Sequence, residues 1–270
     1  MKLFLIARNT LKEAIRQKLF HFVVLLSIGL IVGSLFFREF NFGVSELKFI
    51  VDFGFGAMTF FGSMLAVVVT AQLFFNEIDS RTVQTLLSKP VHRAEFILGK
   101  FLGVLFVLLF FMALMAISLL AVLAFREASI YSRISEDIRP EGWIRYGDVV
   151  LFSVVQWVKL GVISALTLLI ASFSRSNLYS VTMSFLLVII CHLQYLTLEG
   201  WSTASSWVVK GLLFFLSYLL PNFQIFNLGD WVASGEILPC SLVLKASAYG
   251  IVYWIGLSYL AVYSFSKREI

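Results

Sequence analysis

Two features of this chain could do chemistry. The first is Lys159, in QWVKLGV, midway along an apolar run. If that run crosses a bilayer, its ammonium costs about 2.5–3.5 kcal/mol on insertion scales, so it must face protein or a wet cavity and have a partner. Structural pairing, or contact with a backbone carbonyl, is expected ahead of substrate contact. The second is a dense polar stretch, NEIDSRTVQTLLSKPVHRAEFILGK, residues 76–100, set between two of the most apolar regions. Its mixed charges and paired leucines are a chemistry of contact rather than of bond making.

The elements that must position these residues follow from composition. The chain is 60% hydrophobic and 14% charged, with a mean hydropathy of +0.92. A soluble domain averages about 45–50% apolar and roughly 25% charged. This is the profile of a polytopic, all-α membrane protein with lipid as its surroundings. The net charge of +5 is spread beside the apolar runs. It reports topology, not nucleic-acid binding.

Six spans are expected, near 19–37, 53–75, 95–125, 148–172, 178–198 and 242–265, since a bilayer core needs about 20 apolar residues per helix. The third is long enough to tilt or project. Residues 2–18 read as an interfacial helix. Leu3, Ala7, Leu11 and Ala14 recur on one face, with Arg8, Lys12 and Arg16 opposite. Charges interrupt this segment before any apolar core, so it is not expected to be a cleavable signal. With the N-terminus inside the cell, the inside segments carry twelve basic and five acidic residues and the outside segments eight and eleven. That satisfies the positive-inside rule and returns the C-terminus to the same side. Residues 126–147 and 199–241 then lie outside. The run 207–220 is expected to be a re-entrant helix before span 6 rather than a seventh span. The whole, 1–270, reads as one transmembrane domain.

In this topology residues 76–93 face the cytoplasm. Asp79 or Ser80 suits a cap, Val83, Leu86 and Leu87 make an apolar stripe, and Pro90 stops the helix. A short amphipathic helix across the ends of two spans is built to touch something.

The string Glu77, Arg81-Thr82, Leu86-Leu87, Pro90, Arg93, Phe96 and Gly99-Lys100 resembles the cytoplasmic signature of ABC-2 type permeases. These are the membrane subunits of type V fold ABC transporters. The nearest pattern is the subgroup containing the nitrous-oxide-reductase maturation permease. The resemblance extends over the chain, through the late Pro221-Asn222 pair, and departs at Arg81, where many members have glycine. It implies that 76–93 is a coupling helix for an ABC-type ATPase subunit in trans. Glu77, Asp79, Arg81 and Arg93 would pair charges and Leu86 and Leu87 would fill a groove, with Thr82 and Pro90 in the same motif. It also implies a homodimer (or pairing with a related permease), export, and a bacterial or archaeal plasma membrane. This chain has no G-x-x-x-x-G-K-[ST] loop, so it is expected to carry no cofactor and no catalytic residue. ATP and Mg would sit on the partner.

Other features are weaker. Gly29/Gly33 and Gly99/Gly103 are GxxxG pairs that allow close helix approach, with a dimer role open for Gly29 and Gly33. Thr59, Ser63, Thr70 and Gln72 could line a pathway, although bonding back to their own helix is the commoner fate. His21, His92 and His192, with Cys191 and Cys240, show no metal or disulfide spacing. Two competing readings stay open. One is a membrane-embedded enzyme such as a protease, to which Glu77-x-x-x-Arg81 and Phe173-x-x-x-Asn177 give only fragments. The other is an anchor that holds an ATPase without moving cargo.

Overall fold

The computed structural model describes residues 2–36, 46–79, 92–131, 144–196, 207–208, 210–211, 214 and 219–267. Among the described residues every regular element is helical. In chain order they are α1 (Lys2–Arg16), α2 (Lys18–Gly33), α3 (Glu46–Asp79), α4 (Arg93–Tyr131), α5 (Tyr146–Phe173), α6 (Asn177–His192), a 3₁₀ turn (Phe223–Phe226), α7 (Gly229–Ala233) and α8 (Cys240–Ser266). Helices satisfy their own backbone groups, as a chain in lipid must.

Four of these, α3, α4, α5 and α8, are long and apolar enough to cross a membrane. A fifth span results if α1 and α2, bent by 65° at Gln17, are one broken element. The expected six counts α2 alone and also α6. Each of those has 16 residues, about 24 Å of helix against a core of about 30 Å. The long helices outrun their apolar windows. α3 starts at Glu46 and continues through Asp79, so residues 76–79 are the end of a span helix. α4 begins at Arg93 and runs six residues past the expected 125. The 80–91 portion of the coupling segment, and with it Arg81, Thr82, Leu86, Leu87 and Pro90, lies outside the described residues, as do 132–143 and most of 207–218.

α5 is the central post. It packs against α3, α4, α6 and α8, and most of its length is buried. Its closest neighbour is α8, and two glycines set the distance. A Cβ on Gly161 would collide with Trp254, and one on Gly250 with Val158. The two indoles in this seam use their N–H groups as buried tryptophans must. Trp254 Nε1 donates to the Val158 carbonyl at 3.0 Å, and Trp157 Nε1 to that of Leu105 at 3.0 Å.

α1 is docked rather than loose. Ala7, Thr10 and Ala14 are buried, while Arg8, Lys12 and Arg16 are exposed. The face it covers is the second GxxxG pair. A Cβ on Gly99 would stand 2.8 Å from Ile6, and one on Gly103 would stand 2.5 Å from Thr10 and 2.9 Å from the Ala7 carbonyl. The first pair does the opposite. Among the described residues nothing lies within 4 Å of a Cβ on Gly29 or Gly33, and α2 leaves Phe22 and Leu25 bare beside them.

Candidate functional site

Two polar sites emerge, at opposite ends of the bundle. The first gathers where α3 ends and α4 begins. Phe74 and Phe75 from α3, Phe96 from α4 and Phe265 from α8 are buried and in ring contact. This aromatic plug holds together the ends of α3 and α8 and the start of α4. α4 itself is capped, with the His92 backbone N–H donating to Glu95 Oε2 at 3.1 Å. That is one half of a capping box, with the acid on the third residue of the helix.

Around the plug the charges are paired within the chain. Lys100 is 2% exposed. Its Nζ lies 2.5 Å from Glu77 and 3.8 Å from Glu13. Asn76 Nδ2 donates to Glu13 Oε1 at 3.4 Å. A buried ammonium needs such partners, because its desolvation is costly and only close carboxylates offset it. Glu77 thus joins α3 to α4, and Glu13 brings α1 into the same network. Arg93 donates to the carbonyls of Phe265 at 3.3 Å and Ser266 at 3.0 Å. A cation on the last carbonyls of α8 complements its dipole. The structure therefore gives Glu77 and Arg93 internal partners and brings them to one end of the bundle. Asp79 is the final residue of α3. Lys100 and Glu13 were not picked out from sequence as a pair. The available signal was a lysine one turn inside an apolar run.

The second site is a cleft of about 880 Å³ bounded by α3, α5, α6, the 3₁₀ turn and α7. Lys159, Thr59 and Ser63 line it. Gln72 lies farther along α3 and is not among the lining residues, and Gly29 and Gly33 are on α2, away from it. The two hydroxyls are spent on their own helix. Thr59 donates to the Phe55 carbonyl at 2.8 Å and Ser63 to that of Thr59 at 2.6 Å.

Lys159 is different. It is 4% exposed, and its Nζ stands 5.5 Å from the centre of the Phe223 ring, a weak cation–π contact. Among the described residues it has no carboxylate within ion-pair distance and no hydrogen bond. One turn earlier, Gln156 is equally buried. Its Nε2 donates to the Phe226 carbonyl at 2.8 Å, while its Oε1 is buried with no donor. The floor is held by the Pro221-Asn222 pair. Asn222 Oδ1 accepts from the Gln224 N–H at 2.9 Å, and its own N–H donates to the Tyr249 hydroxyl at 2.8 Å. Asp52 and Asp230 are exposed at the rim. The sequence flagged Lys159 but not Gln156, which a polar residue one turn away on the same helix face could have signalled.

His192 lines the cleft, with Nδ1 2.9 Å from the Val188 carbonyl. His21 is on α2, and His92 caps α4. Among the described residues no three His, Cys, Asp or Glu come together as a metal cluster would require.

No curated protein matches the chain. The family profile described as ABC-2 family transporter protein matches residues 4–270. That match covers the helices of both sites, and the chain therefore belongs to the ABC-2 transporter family, as an integral membrane permease.

Proposed function

We propose that this permease is the membrane-spanning half of an ATP-driven exporter. It works as a homodimer with ABC-type ATPase subunits bound in trans on the cytoplasmic side. ATP and Mg are bound by those subunits, and this chain carries neither a cofactor nor a catalytic residue. Both termini are cytoplasmic, and the membrane is a bacterial or archaeal plasma membrane. The observation that carries the reading is the locked end of the bundle. Residues 80–91 connect two helix ends that are tied together by Glu77–Lys100 at 2.5 Å and by the Phe74, Phe96 and Phe265 plug. A push on a segment mounted this way moves α3, α4, α8 and, through Glu13, α1 as one body. That is the requirement for rigid-body transmission of a two-state motion.

In this mechanism Asp79, Arg81 and Arg93 set the register on the ATPase, while Leu86 and Leu87 supply the apolar anchors, with Thr82 and Pro90 shaping the turn. Glu77 acts from behind, by holding Lys100. Gly29 and Gly33, on the open face of α2, sit where two copies meet.

The test is recovery of an ATP-binding subunit with tagged chain from native membranes in mild detergent. Wild type is compared with an Arg81→Glu/Leu86→Asp variant, which leaves the Glu77–Lys100 pair intact. Capture by wild type alone supports coupling. A folded wild-type chain that brings down no ATPase overturns it and leaves the anchor and enzyme readings to be tested.

A further inference from the structure

We propose that the cleft binds an amphiphile whose head carries an oxyanion beside a hydrogen-bond donor, with Lys159 taking the oxyanion and the Gln156 carbonyl oxygen taking the donor. As a binding site this stands by itself. As the class of molecule transported it rests on the exporter reading above.

Three observations carry it. The first is the buried, unpaired ammonium. Lys159 is 4% exposed and has no carboxylate within reach among the described residues. A charge in that position pairs with an opposite charge or a carbonyl or faces a wet cavity, and here the cleft is what it faces. The second is Gln156, one helical turn away on the same helix and 2% exposed. Its Nε2 is fixed on the Phe226 carbonyl, and its other end, Oε1, is buried with no donor among the described residues. A buried acceptor calls for an N–H or O–H donor. The third is the rest of the lining. Phe55 and Phe152 stack at 3.7 Å on one wall, and Phe185, Val188 and Ile189 form another. Two of the lining residues, Phe60 on α3 and Ile189 on α6, are 68% and 60% exposed. Both are large apolar side chains, so apolar surface continues from the cleft to the outside of the helices. A tail lies along that apolar surface while the head stays on α5. Its volume, about 880 Å³, falls in the range of small-molecule sites.

The rim argues against a bare small anion. Asp52 and Asp230 are both exposed there. A compact, multiply charged ion entering from water meets those carboxylates first. An amphiphile entering from the side does not.

The experiment is native mass spectrometry of the full chain in a non-ionic detergent. The added probes are lysophosphatidate (oxyanion and hydroxyl), palmitate (oxyanion alone), monoacylglycerol (hydroxyls alone) and inorganic phosphate. Wild type should prefer lysophosphatidate to monoacylglycerol by about tenfold or more, as a charge-assisted pair in a dry site requires. Lys159→Met should abolish that preference, and Lys159→Arg should keep it. Gln156→Leu should erase the advantage of lysophosphatidate over palmitate. Gly56→Leu is the steric control. Gly56 lines the cleft with nothing within 4 Å of its Cβ, and a leucine there should exclude all three amphiphiles. Equal binding of monoacylglycerol and lysophosphatidate by wild type would overturn the proposal. So would an unchanged preference in Lys159→Met, or displacement of lysophosphatidate by equimolar inorganic phosphate. None of these measurements involves the ATPase. The cleft can therefore fail with ATPase capture intact, and capture can fail with the cleft intact.

Discussion

Lys100 and Lys159 are both buried lysines in the apolar body of one chain, and they are treated in opposite ways. Lys100 is met by Glu77 and Glu13 from two other helices. Lys159 is met by the ring of Phe223 and by open space. The first arrangement spends a charge on holding helices together. The second holds a charge ready. Burial alone does not separate them (2% and 4% exposed); the partner does. A buried ion in this family member is informative only once its surroundings are known.

The sharpest way to break the comparison is to make the same substitution at both lysines. Lys100→Met takes the cation from two carboxylates, one of them largely buried. Breaking a buried pair from one side costs about 3–5 kcal/mol. Unfolding in mixed micelles should show a loss of that size, and a second change, Glu77→Gln, should restore part of it. Lys159→Met removes a buried charge that has no protein partner to orphan. Its midpoint should stay where it is or rise. Equal losses at the two sites would mean that Lys159 is structural.

The two glycine pairs offer a comparison of the same form. Gly103→Val drives a side chain into Thr10 and the Ala7 carbonyl. Overpacking of this kind costs about 1–3 kcal/mol, and α1 gives way before α4 does. An Ala7→Cys reporter, buried in the parent fold, should then react with maleimide. Gly29→Val meets nothing within 4 Å and should leave the protomer's stability unchanged. If α2 is the dimer contact, cross-linking between copies falls instead.

Arg93 tests how far the locked end is purely structural. Arg93→Gln removes two bonds to the last carbonyls of α8. The loss should be about 1 kcal/mol, seen as faster amide exchange confined to the last turn of α8. ATPase capture measured on the same variant separates its internal role from any pairing with the partner.

How much of this could be read from the sequence depends on range. Runs of apolar residues place α3, α4, α5 and α8, because each run reports on its own helix. Their ends escape, since a hydropathy window marks lipid and not hydrogen bonding. α4 carries on as helix through Arg126 because that side chain pairs with Glu46 on α3, a partner far away in the chain. The GxxxG spacing says that something comes close. It does not say that Gly99 and Gly103 receive α1 while Gly29 and Gly33 receive nothing from the described residues. Lys159 was legible as a charge in a span. Its lack of a carboxylate among the described residues, and the unpaired Gln156 oxygen one turn away, depend on how α5 is rotated against the 3₁₀ turn. The coupling residues from Arg81 to Pro90 stand on resemblance and spacing alone.

The smallest expected effect is at Thr59, and it marks the boundary of the cleft's chemistry. Thr59 lines the cleft, yet its hydroxyl already donates to the Phe55 carbonyl one turn back at 2.8 Å. Such a bond is internal to the helix and slightly loosens it. Thr59→Val keeps the shape and the β-branch and removes only the hydroxyl. The Phe55 carbonyl retains its place in the helix ladder, so no buried acceptor is stranded. Stability should change by no more than about 0.5 kcal/mol, and lysophosphatidate binding should match wild type. The contrast with Gln156→Leu is the point of the measurement. Both residues are polar and both line the same cleft, but only Gln156 has an unpartnered atom. A drop in binding for Thr59→Val as large as for Gln156→Leu would show that the head group reaches α3, and that a back-bonded hydroxyl can be recruited when a ligand arrives.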